Sequence, residues 1–148
     1  MKNPIDLKGF IQIAIVVKDI EKSAKAWADL FNIPVPEIQV QEQAPAGLMT
    51  RGKQAAFKRK KAIIDAGGDW KIELFQPTGG ESTFQEFLDQ HGEGVHYLGF
   101  DAGERRDAIV DELEAKGCAL RILGPNKLWT VVDTEKDLGV CLNIKPNA

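Results

Sequence analysis

An internal repeat constrains this chain more than any other feature. Ala62-Ile63-Ile64-Asp65, followed by Asp69, returns as Thr130-Val131-Val132-Asp133, followed by Asp137. Each copy runs into an apolar segment that ends near a proline. The first is Lys71-Ile72-Glu73-Leu74-Phe75-Gln76-Pro77 and the second is Val140-Cys141-Leu142-Asn143-Ile144-Lys145-Pro146. The openings of the two halves align as well, residues 11–16 with residues 96–101, and both lead into a helical pattern. One unit used twice has to bury its two copies against each other, so the repeat takes precedence over any local motif.

The 148 residues suit one domain with a real core. We expect two modules, about 9–77 and 94–146, joined by a short helical linker at 78–93. A net charge of −3 gives no electrostatic case for nucleic acid or an anionic membrane. The run Lys58-Arg59-Lys60-Lys61 is read as a solvated strand or loop edge; its other reading is a contact to a phosphate or carboxylate of a substrate. Cys118 and Cys141 form no C-x-x-C pair, which removes the zinc-ribbon and thioredoxin motifs. Their apolar neighbours suit buried thiols in a reducing compartment. The first residues lack the apolar centre of a signal peptide, and no apolar run reaches the length of a membrane span. The expectation is a cytoplasmic protein with neither membrane nor nucleic acid as a partner.

Residues 10–17 are nearly all apolar and rich in β-branched side chains, as in a strand. Asp19 then caps a helix whose Ile20, Ala24, Trp27 and Phe31 share one face, and Asn32 and Pro34 end it. Residues 34–61 are hard to read, with weak alternation at Val35, Ile38 and Val40 and turns at Pro45, Gly47 and Gly52. Strands are expected at 62–66 and 70–75 around an Asp65-x-Gly67-Gly68-Asp69 hairpin. Ser82 or Thr83 caps a short helix that ends at His91-Gly92. In the second half we expect strands at 95–100, 119–123, 128–132 and 138–144, and a helix over 107–116 closed by Gly117. Strands in runs with one helix per half indicate an α+β fold: paired βαβββ modules whose curved sheet lines a cleft.

Alternation along the strands assigns side chains to the cleft. Ile11, Ile13 and Ile15 turn to the helix, and Gln12 to the cleft, with room left by Ala14 and Val16. Tyr97, Gly99 and Asp101 take the cleft side of their strand, leaving His96, Leu98 and Phe100 on the other. Glu73 and Asn143 join them from the last strand of each half. A carboxylate in the middle of an apolar strand needs either a partner, such as Lys71, or a chemical role. His91 is read as a surface or capping residue, His96 as a core histidine, Trp27 as packing and Trp70 as a strand flank. Trp129 can face either way, and in the cleft it would stack on a planar ligand.

These residues resemble a known family. Residues 13–22, 71–77 and 86–96, with Val132-Asp133-Thr134 and Gly139-Val140, are similar to the vicinal oxygen chelate superfamily of glyoxalases, bleomycin-resistance proteins and dioxygenases. The His91-Gly92-Glu93-Gly94-Val95-His96 segment looks most like the methylmalonyl-CoA epimerase-like branch. The resemblance implies a cleft with a divalent metal held by four strands, usually through His, Glu or Gln, His and Glu. It also implies a homodimer. Carried over, the four positions are Gln12, Glu73, Tyr97 and Asn143, and only Glu73 matches the usual type. Gln12, Glu73 and Asn143 are the candidate metal ligands. Glu73 and Tyr97 are the candidate catalytic pair. Gln12, Tyr97, Asp101, Trp129 and Asn143 are the candidate substrate contacts. Without imidazoles such a set holds a transition metal weakly, so the expected cofactor is none or a weakly held divalent ion. The reading is a small-molecule binding protein with a degraded metal site. The alternative is an epimerase, isomerase or lyase acting on a carbonyl or acyl-CoA substrate through Glu73.

Overall fold

The first half runs β1 (Phe10–Val16), α1 (Ile20–Phe31), β2 (Ile38–Gln41), the two-residue strands β3 (Met49–Thr50) and β4 (Lys53–Gln54), β5 (Lys58–Asp65) and β6 (Lys71–Gly79). After α2 (Thr83–His91), the second half runs β7 (Gly94–Asp101), α3 (Arg106–Ala115), β8 (Leu120–Leu123), β9 (Thr130–Val132), α4 (Glu135–Leu138) and β10 (Cys141–Lys145). These elements are those of a computed structural model, which describes residues 1–146. Among those residues the strands form one mixed sheet in the order β2-β5-β6-β1-β7-β10-β9-β8-β3-β4.

Apart from β3 and β4, the two halves have the same plan. The first strand of each lies parallel to the last, β1 to β6 and β7 to β10, and the middle strands follow antiparallel. The halves join where β1 and β7 pair antiparallel. This is the α+β arrangement of paired βαβββ units that the repeat implies. Each main helix covers the convex face of its own half. Ile20 of α1 packs with Val17, Ala62, Ile64 and Leu74. Ile109, Val110 and Leu113 of α3 pack with Phe100, Val132, Leu142 and Ile144.

Local chemistry sets the helix ends. Asp19 accepts from the Lys22 N–H at 3.2 Å, and Ser82 accepts from the Gln85 N–H at 3.0 Å. Asn32 takes the left-handed conformation at the end of α1, with φ 52°. Two expectations about apolar faces change. Phe31 is exposed and stacks on Trp27 at 5.1 Å, while Ala28 takes the buried place in the last turn. Leu138 closes α4 and is exposed, and the strand after it begins at Cys141.

The concave face is mostly filled. The chain between β2 and β5 leaves one edge of the sheet, and β3 joins the opposite edge by pairing with β8. This strap buries Leu48, Ala55 and Phe57 against Ala14, Val16, Phe75, Phe84, Tyr97, Ile122, Val131 and Cys141. The room beside Ala14 and Val16 is therefore core, and open space survives only toward Gln12. Pairing of β1 with β7 slips between Ala14–Tyr97 and Ile15–Val95, which leaves His96 in a bulge. The bulge breaks the alternation. His96 does not join Leu98 and Phe100 beneath α3; it lies under α2, where its ring stacks on Phe87 at 5.1 Å.

Candidate functional site

β5 begins four residues earlier than the apolar pattern suggests, because Lys58–Lys61 pair along β6 as far as Gly79. The basic run is thus strand, and its alternate side chains, Arg59 and Lys61, turn inward. They line a cavity of about 310 Å³ together with Gln12 of β1, Glu73 and Phe75 of β6, Tyr97 of β7, Asn143 and Lys145 of β10, and Trp129. That volume falls at the lower end of small-molecule sites, roughly 300–1,000 Å³. Leu48 and Pro45 of the strap and Gly124–Asn126 complete the wall.

Of the residues singled out in the sequence, Gln12, Glu73, Tyr97, Trp129 and Asn143 border this cavity. Asp101 does not. Its carboxylate turns back to accept from the Gly103 N–H at 2.9 Å and caps the turn that precedes α3. His91 sits at the end of α2 with Nε2 2.5 Å from Glu135 Oε1. His96 is buried, with Nε2 3.2 Å from Thr83 Oγ1. Burial holds its imidazole down at about 4, so it is neutral at ordinary pH.

Hydrogen-bond direction fixes the two amides. The backbone N–H of Thr130 can only donate, and it donates to Asn143 Oδ1 at 2.8 Å. The Asn143 amide nitrogen must then face Gln12, where it donates to Gln12 Oε1 at 3.1 Å. Gly99 makes this possible: a Cβ there would stand 2.2 Å from Gln12 Oε1 and 2.6 Å from Gln12 Cβ. Both amide oxygens offered as metal ligands therefore already accept hydrogen bonds. Burial pushes the Tyr97 phenol far above its usual value, and the Glu73 charge pushes it further. Tyr97 is a neutral hydroxyl in this site, not a phenolate ligand or a base. Neutral amide and phenol oxygens with one carboxylate and no imidazole are a poor set for a transition ion, and one lone pair of each amide oxygen is already taken.

Glu73 stands without a partner. Lys71, which could neutralise it, pairs with Asp65 at 3.4 Å, and Glu73 makes no ion pair or side-chain hydrogen bond among the described residues. Arg59 is the larger surprise. It is 5% exposed, and its Nε donates to Gln41 Oε1 at 2.5 Å. Its guanidinium lies over Trp129 at 4.4 Å and over Phe75 at 4.7 Å. Nη1 is buried with no hydrogen-bond partner, and no carboxylate lies within ion-pair distance among the described residues. Removing such an ion from water costs several kcal/mol even after relaxation. Phe84, at 5.7 Å, is a third ring within cation–π distance, and contacts of this kind return on the order of 2 kcal/mol. The desolvation of Arg59 is left incompletely offset.

A second cluster lies away from the cavity. Asp133, Glu135 and Cys141 bring ligand-type atoms within 4.8 Å of one another. Arg121 Nη2 already bridges the carboxylates at 3.0 and 2.9 Å. Burial pushes the Cys141 thiol up to about 11, which keeps it protonated. This is an ion-pair network built on the repeated aspartate.

The fold agrees with comparison to known proteins. Residues 11–130 match the Glyoxalase/Bleomycin resistance protein/Dioxygenase superfamily, and the chain belongs to that family. Its structure is similar to methylmalonyl-CoA epimerase from Mycobacterium tuberculosis, at 18% identity and a TM-score of 0.61 over 95% of this chain and 88% of the other. It is also similar to Streptomyces coelicolor methylmalonyl-CoA epimerase in complex with 2-nitronate-propionyl-CoA, at 18% identity and 0.59 over 91% and 94%. A hypothetical protein from Bacillus halodurans gives 19% and 0.57 over 92% and 91%. At these identities the likeness is one of fold. No curated protein sequence matches the chain significantly. No helix among the described residues is long and apolar enough to cross a membrane.

Proposed function

We propose that this protein binds a small organic molecule in the cavity and that its side chains meet that ligand directly, without a divalent ion between them. The observation that carries this reading is the donor set: no imidazole, one carboxylate, a neutral phenol, and two amide oxygens that each already accept a hydrogen bond in the Thr130–Asn143–Gln12 chain. Gln12, Tyr97, Trp129 and Asn143 supply polar and aromatic contacts, as in other small-molecule sites. Ligand affinity is expected to be the same with and without EDTA. Binding that EDTA abolishes and zinc or cobalt restores contradicts the reading.

A second reading is favoured by the unpartnered carboxylate of Glu73. On it, the protein is an isomerase or epimerase of a carbonyl or acyl-CoA compound. Glu73 removes the proton, and the neutral Tyr97 hydroxyl donates a hydrogen bond to the developing oxyanion. Glu73→Gln then abolishes turnover in a folded protein; unchanged turnover removes this reading. The homodimer implied by the resemblance is likewise a proposal. Sedimentation velocity checks it, with a single species of twice the chain mass as the expected result.

A further inference from the structure

Arg59 is a buried cation with no ion-pair partner among the described residues, offset only by the more distant charge of Glu73, and it forms part of the cavity wall. Its Nε is committed to Gln41, three rings surround the guanidinium and Nη1 is sealed from solvent, so what it offers a ligand is Nη2. Lys61 and Lys145 line the same cavity and Glu73 is its one carboxylate, which leaves the space electropositive. We propose that the ligand is a small carboxylate that docks an oxygen on Arg59 Nη2 and supplies the directly bonded negative charge the guanidinium lacks, with its body against Trp129. A hydrogen bond between a charged donor and a charged acceptor is roughly twice as strong as a neutral one, which separates a carboxylate from its amide. The Glu73 carboxylate repels a second negative charge on the ligand, which favours a monoanion over a phosphate dianion. This inference rests on the cavity being a small-molecule site and names the chemistry of what enters it.

The test is calorimetric titration of the full chain with benzoate and acetate, their neutral partners benzamide and acetamide, and inorganic phosphate. Wild type, Arg59→Lys and Arg59→Met are compared. At least one carboxylate is expected to bind wild type about 10- to 100-fold more tightly than its amide, the range of a charge-assisted hydrogen bond. Arg59→Met loses that preference. Arg59→Lys retains the charge and keeps only part of the preference. Removing an uncompensated buried charge is not expected to lower the melting temperature of the unliganded protein, so Arg59→Met should fold. If it does not, Arg59→Lys and the acid–amide comparison in wild type still decide the matter. Acids and amides that bind alike overturn the carboxylate assignment and leave the small-molecule reading standing. Phosphate binding without carboxylate binding also overturns the assignment. If none of the probes binds, the carboxylate assignment is overturned, while the small-molecule reading keeps its own EDTA test.

Discussion

Single residues show both what strand alternation can reveal and where it fails. Gln12 stands out because its neighbours on that face are small, and Glu73 because a carboxylate interrupts an apolar strand. Arg59 is hidden by three neighbours of the same charge. A basic run looks alike whether it is solvated or threaded through a strand, and only pairing along β6 distinguishes the two. The Gln12–Asn143 bond links residues 131 apart, and no local pattern encodes it. Its geometry predicts that Gly99→Ala lowers stability by about 1–3 kcal/mol, since the added methyl must displace Gln12. The double variant with Gln12→Ala should recover only part of that loss in thermal or urea unfolding, because the Cβ of residue 12, 2.6 Å from the added methyl, remains. His96 carries a pH signature. Its folded pKa, about 4, lies below the ordinary 6.5, so the unfolded chain takes up the proton first as pH falls. Its contribution is full above about pH 6.5, declines between there and pH 4, and amounts to a loss on the order of 3 kcal/mol at the acid end. Unfolding of wild type and His96→Phe across that window checks this; the variant should have the flatter profile.

At the scale of elements, the repeated units were legible because each strand buries one face beneath its helix. The strap was not legible. Strands β3 and β4 have two residues each, too few to show a period, and they form because β8 offers them an edge. The strap matters more than its length suggests, since Leu48 both seals the core and borders the cavity. Leu48→Ala is expected to cost about 3 kcal/mol of stability and to weaken ligand binding, whereas Leu30→Ala, at an exposed site, should change stability by less than about 0.5 kcal/mol. Equal effects in chemical denaturation would contradict the strap's place in the core. The bulge at His96 is a similar case: one extra residue in β7 moves a histidine from the expected helix face to the space beneath α2, and only the pairing partner reveals it.

For the whole molecule, two similar halves bring four inner strand positions, Gln12, Glu73, Tyr97 and Asn143, to one cavity. In this chain those positions hold a hydrogen-bonded amide pair, a carboxylate without an ion-pair partner and a buried phenol, beside a guanidinium that makes no ion pair among the described residues. The account's central claim is that this centre meets its ligand directly and does not chelate a metal. Metal content of untagged protein by elemental mass spectrometry, with thermal-shift titrations of zinc, cobalt, manganese and magnesium, tests it most directly. We predict no near-stoichiometric ion and no ion-specific stabilisation that depends on the cavity. One ion per chain, lost in Asn143→Ala or Gln12→Ala but retained in Cys141→Ala, would contradict the account, because it would place a metal at the amide pair and not at the Asp133–Glu135–Cys141 network.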